Sequence, residues 1–189
     1  MVVYSYAPIA AEKAPRAVGL REYLLQSPPK NAAARATALL LLEELAARAE
    51  LAVDLPLRVT EHGKPYFVGR SAPDFNLSHS GELAAAVIGS CRVGIDIQEE
   101  TETLDASKLS ARFFGETEKA ALQNAPRARF FELWTKKEAL GKLLGVGLSP
   151  LLGKDTNALA AEHGVHFRTT RIVTETATYT LTVCATEEF

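Results

Sequence analysis

Val93-Gly94-Ile95-Asp96-Ile97-Gln98 alternates with the period of a strand, and Trp134-Thr135-Lys136-Lys137-Glu138-Ala139 sits in a helical pattern. In the first stretch Asp96 points opposite to Ile95 and Ile97, so if the isoleucines enter a core, Asp96 and Gly94 face a cleft or solvent. In the second, Glu138 lies four residues after Trp134 and four before Lys142, which puts all three on one helix face. A carboxylate from each segment, brought together, makes a Mg²⁺ site ringed by lysines, suited to holding a pyrophosphate. Taken singly, each motif has a plainer meaning. Asp96 alone is an ordinary exposed aspartate of a sheet, and Glu138 with Lys142 is a surface pair worth about 0.3–0.5 kcal/mol.

Working outward, the chain reads as an α+β protein. Val2–Tyr6 predicts an opening strand, Arg16–Gln26 a short helix stopped by Ser27-Pro28-Pro29, and Ala32–Leu51 a long helix capped by Asn31. Leu57–Glu61, Tyr66–Val68 and Phe75–Ser78 predict extended segments, with a tight turn at His62-Gly63-Lys64-Pro65. Leu83–Ile88 and Arg92–Ile97 read as a strand pair joined through Gly89-Ser90. Helices follow at Ala106–Phe113, Glu116–Gln123 and Ala128–Leu144, the last closed by Gly145-Val146-Gly147. Leu148–Lys154 reads as a loop, and Val165–Val173 with Thr178–Thr186 as a final hairpin. A seam near Cys91–Gly94 divides residues 1–92 from 93–189. No repeat is visible in the sequence.

The 189 residues are 47% hydrophobic and 23% charged, the make-up of an ordinary globular protein with room for a substantial core. The net charge of −2 argues against general nucleic-acid binding, so any basic patch is local. No stretch is long enough to span a bilayer, and Met1–Pro8 lacks signal-peptide character. A cytoplasmic protein is expected. Cys91 and Cys184 fit no metal pattern and read as two free thiols.

Upstream of both acids lie Gly-Lys-Pro (63–65) and Phe-Asn-Leu-Ser-His-Ser-Gly (75–81). Each is weak alone; Ser78-His79 has no third partner for a nucleophilic triad. Together with Val-Gly-Ile-Asp-Ile and Trp-x-x-Lys-Glu-Ala, in this order and spacing, they resemble the 4′-phosphopantetheinyl transferases of the surfactin type. The resemblance covers Gly63 to Leu148.

It implies two similar α/β halves about a pseudo-twofold, residues 1–92 contacting the nucleotide and 93–189 carrying the metal site, with the active site in the cleft between them. It implies transfer of the 4′-phosphopantetheine arm of coenzyme A to a serine of an acyl or peptidyl carrier protein, with release of adenosine 3′,5′-bisphosphate. Asp96 and Glu138 match the metal ligands for Mg²⁺, with Mn²⁺ left open as a substitute. Gln98 stands where many members carry a third acid and is expected to ligate weakly or through water. Lys137 and Lys142 match phosphate-binding lysines; Ser78, His79 and Lys64 match contacts to the nucleotide and its 3′-phosphate; Arg35, with Lys30 behind it, supplies a further basic contact. Glu138, Lys142 and Asp96 are the expected catalytic residues, with Glu138 the candidate base. Lys137 points about 100° away from Glu138 around the helix, so it reaches the coenzyme only if the cleft wraps that side. Arg112-Phe113-Phe114 is open between carrier docking and core. A monomer is expected, because one chain would complete the site. The alternative is a catalytically silent module that binds a carrier protein or nucleotide.

Overall fold

The computed structural model describes residues 1–10, 13–26 and 29–189; the Ser27-Pro28 part of the expected helix stop lies outside them. The fold is α+β. A first sheet holds β1 (Val2–Pro8), β4 (Asp74–Ser80) and β5 (Leu83–Gly89), and a second holds β6 (Val93–Glu99), β7 (His166–Val173) and β8 (Thr178–Ala185). β2 (Leu57–Val59) and β3 (Pro65–Phe67) form a separate small hairpin. All pairings are antiparallel. The helices are α1 (Val18–Leu25), α2 (Ala32–Arg48), α3 (Ala106–Phe113), α4 (Glu116–Leu122), α5 (Arg127–Leu144) and α6 (Thr156–Glu162).

The two larger sheets follow one plan. Their orders are β1-β5-β4 and β6-β8-β7, so in each the opening strand pairs with the last strand of the hairpin that follows the long helix. Strand alternation then sorts the side chains into layers. Ala86 and Ile88 of β5, with Phe75 of β4, pack under Leu39, Leu42 and Leu45 of α2. The opposite face of β5, through Ala85 and Val87, meets Ile95 and Ile97 of β6 and Leu181 and Val183 of β8. β5 therefore has both faces covered, which is why it is apolar throughout instead of alternating. On the far side of the second sheet, α5 presents Ala139, Leu140 and Leu143 to Cys184.

Three sequence expectations change. Leu83–Ile88 and Arg92–Ile97 are not a strand pair: β5 turns back onto β4, with Leu83 opposite Ser80, while β6 crosses to the other sheet and pairs with β8. The turn is at Gly81, whose φ of +51° suits glycine. Asn31 belongs to a 3₁₀ turn and makes no side-chain cap. α6 was unanticipated; Asp155 starts it by accepting from the Ala158 N–H at 2.9 Å. The remaining helices and the final hairpin lie within a few residues of where the pattern put them, and Gly145 closes α5 in the left-handed region at φ +72°.

Gly94 sets how closely α5 approaches β6. A Cβ there would stand 2.2 Å from the Ala139 carbonyl oxygen and 2.9 Å from the Leu143 nitrogen, both backbone atoms of α5. So Gly94 faces the helix, not a cleft. Gly94→Ala should cost about 1–3 kcal/mol by overpacking and push α5 outward. Chemical denaturation measures the first effect. Changed chemical shifts of the α5 backbone amides report the second.

Candidate active site

Asp96 follows Gly94 by two residues, on the face of β6 that looks toward α5. Its carboxylate is buried, and its Oδ1 accepts from Lys142 Nζ at 2.8 Å and from Ser78 Oγ at 2.9 Å. Lys142 Nζ also donates to Ser78 Oγ at 2.9 Å. Residues from β4, β6 and α5 thus meet at one point. Around it lies a cavity of about 490 Å³, within the range of small-molecule sites.

Arg35, Lys64, Ser78, His79, Asp96, Gln98, Glu138 and Lys142 all border this cavity. Of the expected residues, Lys137 does not, nor does Lys30, named behind Arg35. Lys137 is fully buried on another side of α5, 3.1 Å from Glu118, and donates to the Lys154 carbonyl. The 100° step from Glu138 aims it into the protein, because the cleft does not wrap that side. Its assignment as a coenzyme contact is therefore corrected.

Several other side chains are already engaged. Lys64 Nζ donates to Asp74 Oδ2 at 2.9 Å, and at longer range to the carbonyls of Val93 (3.4 Å) and Leu143 (3.5 Å). It pins the β2–β3 turn to β6 and to the end of α5. Gln98 donates to Ser80 Oγ at 3.3 Å and to its neighbour's carbonyl at 3.4 Å. Arg35 lies over the Tyr23 ring, 4.7 Å from its centroid, at the rim contributed by α1 and α2. His79 is pulled below its ordinary pKa by the desolvation that the pocket wall imposes, then by Lys142 and Arg35, with Asp96 opposing. An anion bound there would reverse part of that shift.

Glu138 is half-buried on the cavity wall, and its carboxyl is pushed up to about 7, first by burial and second by the Asp96 carboxylate; Lys142 works the other way. Two carboxylates converging on one cavity are the donor set that a hard cation takes, with phosphate oxygens completing the shell. Among the described residues no group of three or more His, Cys, Asp or Glu side chains comes together, so the protein's own charged ligands would be Asp96 and Glu138. A folded-state pKa above the ordinary 4.5 means that the fold favours the protonated carboxyl. That contribution is full below about pH 4.5 and lost as pH rises through about 7. A cation binding the ionised pair should therefore raise Tm more at pH 8 than at pH 6. Thermal melts with and without Mg²⁺ at the two pH values check this.

The sequence reading missed how β4 and β6 are joined. Every second residue of β4 accepts from a backbone N–H of β6: Asp74 from Val93 at 2.9 Å, Asn76 from Ile95 at 3.2 Å, Ser78 from Ile97 at 3.3 Å, and Ser80 from Glu99 at 2.9 Å. A constant offset of 19 residues runs through all four. The signal was present as the polar alternation Asp-x-Asn-x-Ser-x-Ser over 74–80, facing an edge of N–H groups that had to be satisfied. Phe114, open between docking and core, is fully buried against Phe130 and Trp134; Phe113 is half-buried, with its ring edge-on to Trp134 at 5.4 Å. Cys91 and Cys184 are both free thiols. No described helix is long and apolar enough to cross a membrane.

The family model of the 4′-phosphopantetheinyl transferase superfamily matches residues 92–184. The 4′-phosphopantetheinyl transferase psf-1 of Bacillus pumilus is 40% identical over 107 residues, covering 53% of this chain and 44% of that protein. The gsp transferase of Aneurinibacillus migulanus is 41% identical over 95 residues (48% and 38%), and Sfp of Bacillus subtilis strain 168 is 34% identical over 100 residues (51% and 44%). The chain spans less than half the length of these curated relatives. The stretch that matches the family model carries Asp96, Glu138 and Lys142.

Proposed function

We propose that this chain is a 4′-phosphopantetheinyl transferase that moves the phosphopantetheine arm of coenzyme A onto a serine of an acyl or peptidyl carrier protein. The observation that carries the reading is the convergence of Asp96, Ser78 and Lys142, with Glu138 beside them, from three separate elements onto one cavity edged by Arg35 and His79. The family match covers Asp96, Glu138 and Lys142 of these residues. In this reading the halves 1–92 and 93–189 are related by a pseudo-twofold. The shared order of their two sheets supports that relation, and the active site lies where they meet. One chain completes the site, so we take the working unit to be a monomer, acting in the cytoplasm.

The chemistry follows from charge and placement. The carrier serine oxygen attacks the β-phosphorus of coenzyme A. A new O–P bond forms, the bridging P–O bond breaks, and adenosine 3′,5′-bisphosphate leaves with the electron pair. Negative charge grows on the phosphate oxygens, and the Lys142 ammonium neutralises it there. Arg35 and His79 hold the nucleotide's phosphates. Glu138, directly or through a bound water, accepts the serine proton. Asp96 holds Lys142 on the cavity side of α5. Mg²⁺ held by Asp96 and Glu138, with Gln98 as an outer partner, would supply further neutralisation of the pyrophosphate.

The test is direct. The protein is incubated with coenzyme A, Mg²⁺ and an apo carrier protein, and the carrier's mass is followed. A gain of one phosphopantetheine group supports the reading. An unchanged carrier, across acyl and peptidyl carrier proteins, removes it.

A further inference from the structure

The Ser78 hydroxyl has one hydrogen to give and two lone pairs to receive with. All three positions are filled from within the chain. It donates to Asp96 Oδ1 at 2.9 Å, and accepts from Lys142 Nζ at 2.9 Å and from the Ile97 backbone N–H at 3.3 Å. The residue is 7% exposed. A phosphate oxygen could take this hydroxyl only by displacing the carboxylate of Asp96. Ser78 is also the third of the four β4 side chains that hold the N–H edge of β6, and of those four it alone bonds to Asp96 or Lys142.

We propose that Ser78 is a positioning residue, not a contact to the coenzyme's phosphates: its hydroxyl locks the register of β6 against β4 and holds the Asp96 carboxylate and the Lys142 ammonium in one arrangement. The inference rests on the transferase reading for its kinetic consequence but not for its geometry. Ser80 provides the comparison. Its Oγ accepts from the Glu99 N–H at 2.9 Å and from Gln98 at 3.3 Å, so it shares the seam without bonding to the Asp96–Lys142 pair.

The experiment compares wild type with Ser78→Ala, Ser78→Thr and Ser80→Ala, using coenzyme A and 3′-dephospho-coenzyme A as alternative co-substrates. Misplacing a reacting constellation by about an ångström costs roughly 100-fold. Ser78→Ala should therefore lower kcat by about 10–100-fold, equally for both co-substrates, with KM for coenzyme A little changed. Ser78→Thr, which keeps the hydroxyl, should recover most of the loss, and Ser80→Ala should lower kcat far less than Ser78→Ala. If Ser78→Ala fails to fold, Ser78→Cys keeps the volume, weakens the hydrogen bonds and carries the same test. A raised KM at constant kcat, or a lost preference between the two co-substrates, would make Ser78 a nucleotide contact and overturn the proposal. So would an unchanged kcat. Amide exchange gives a readout independent of catalysis: the Ile97 N–H should exchange faster in Ser78→Ala, while that of Ile95, held by Asn76, keeps its rate. Should wild type transfer nothing, the proposed function fails while the exchange result still decides the positioning. Should wild type transfer normally and Ile97 exchange stay unchanged, only the positioning fails.

Discussion

Asp96→Ala and Glu138→Ala should each remove phosphopantetheine transfer almost completely, and for different reasons. Asp96 is the buried anion that holds Lys142 on the cavity side of α5, at 2.8 Å. Its loss releases the ammonium and removes one of the two carboxylates offered to a cation. Glu138→Ala leaves the Asp96–Lys142 pair intact and removes the proton acceptor. Losing one preorganised electrostatic contact of this kind costs about 10²–10³-fold in kcat, and the expected loss here is at least that. The two variants differ in how they should fold. Asp96→Ala strands a half-buried lysine and should lower Tm. Glu138→Ala removes a carboxyl whose charged form burial disfavours, so at pH 8 it should hold Tm or raise it. Steady-state transfer to an apo carrier protein, with melts on the same samples, checks both parts. Either variant turning over near the wild-type rate at saturating coenzyme A and Mg²⁺ would refute the assignment.

Much of this arrangement was legible because period speaks directly to face. Ile95 and Ile97 alternate with Asp96, and the structure puts both isoleucines in the core between the sheets with Asp96 on the other face. The i,i+4 step from Glu138 to Lys142 likewise puts both on the cavity wall. Pairing was harder to read. A strand as uniformly apolar as Leu83–Ile88 carries no period that says which neighbour it joins, so adjacency in sequence pointed to the wrong partner. The duplication of topology left no sequence repeat, because a strand order needs hydrophobic alternation and turns, not matching residues. Side-chain saturation was invisible for a different reason. That Ser78 and Lys64 spend their hydrogen bonds inside the chain depends on atoms 10 to 79 residues away.

Lys137→Met should be the most destabilising of these substitutions, and it should do little to coenzyme binding. Lys137 and Glu118 are fully shielded from solvent, and burial pulls the lysine's pKa down while Glu118 opposes that shift. Glu118 is more than a counter-ion. Its carboxylate accepts from the Gly115 N–H at 3.0 Å at the start of α4, and from the Thr156 N–H at 3.1 Å and hydroxyl at the start of α6. Through the pair, α5 is bolted to two helices that approach it from outside the sheets, and the next residue along α5 is Glu138. Replacing the lysine leaves a buried, uncompensated carboxylate, which costs about 3–5 kcal/mol. In a chain of this size that corresponds to a fall of roughly 6–20 °C in Tm. Glu118→Gln keeps an acceptor for the backbone donors and removes the charge, so Lys137→Met with Glu118→Gln should be more stable than Lys137→Met alone. A double-mutant cycle isolates that coupling. Below the melting range of every variant, KM for coenzyme A in Lys137→Met should stay within about twofold of wild type, since uniform ground-state contacts are what KM reports. A large rise in KM with Tm unmoved would put the lysine back among the phosphate ligands. Strict additivity in the cycle would dissolve the pair as a unit. The structure predicts the reverse on both counts, because the side chain one residue before Glu138, about 100° around the helix, is aimed at a carboxylate the fold has already buried for it.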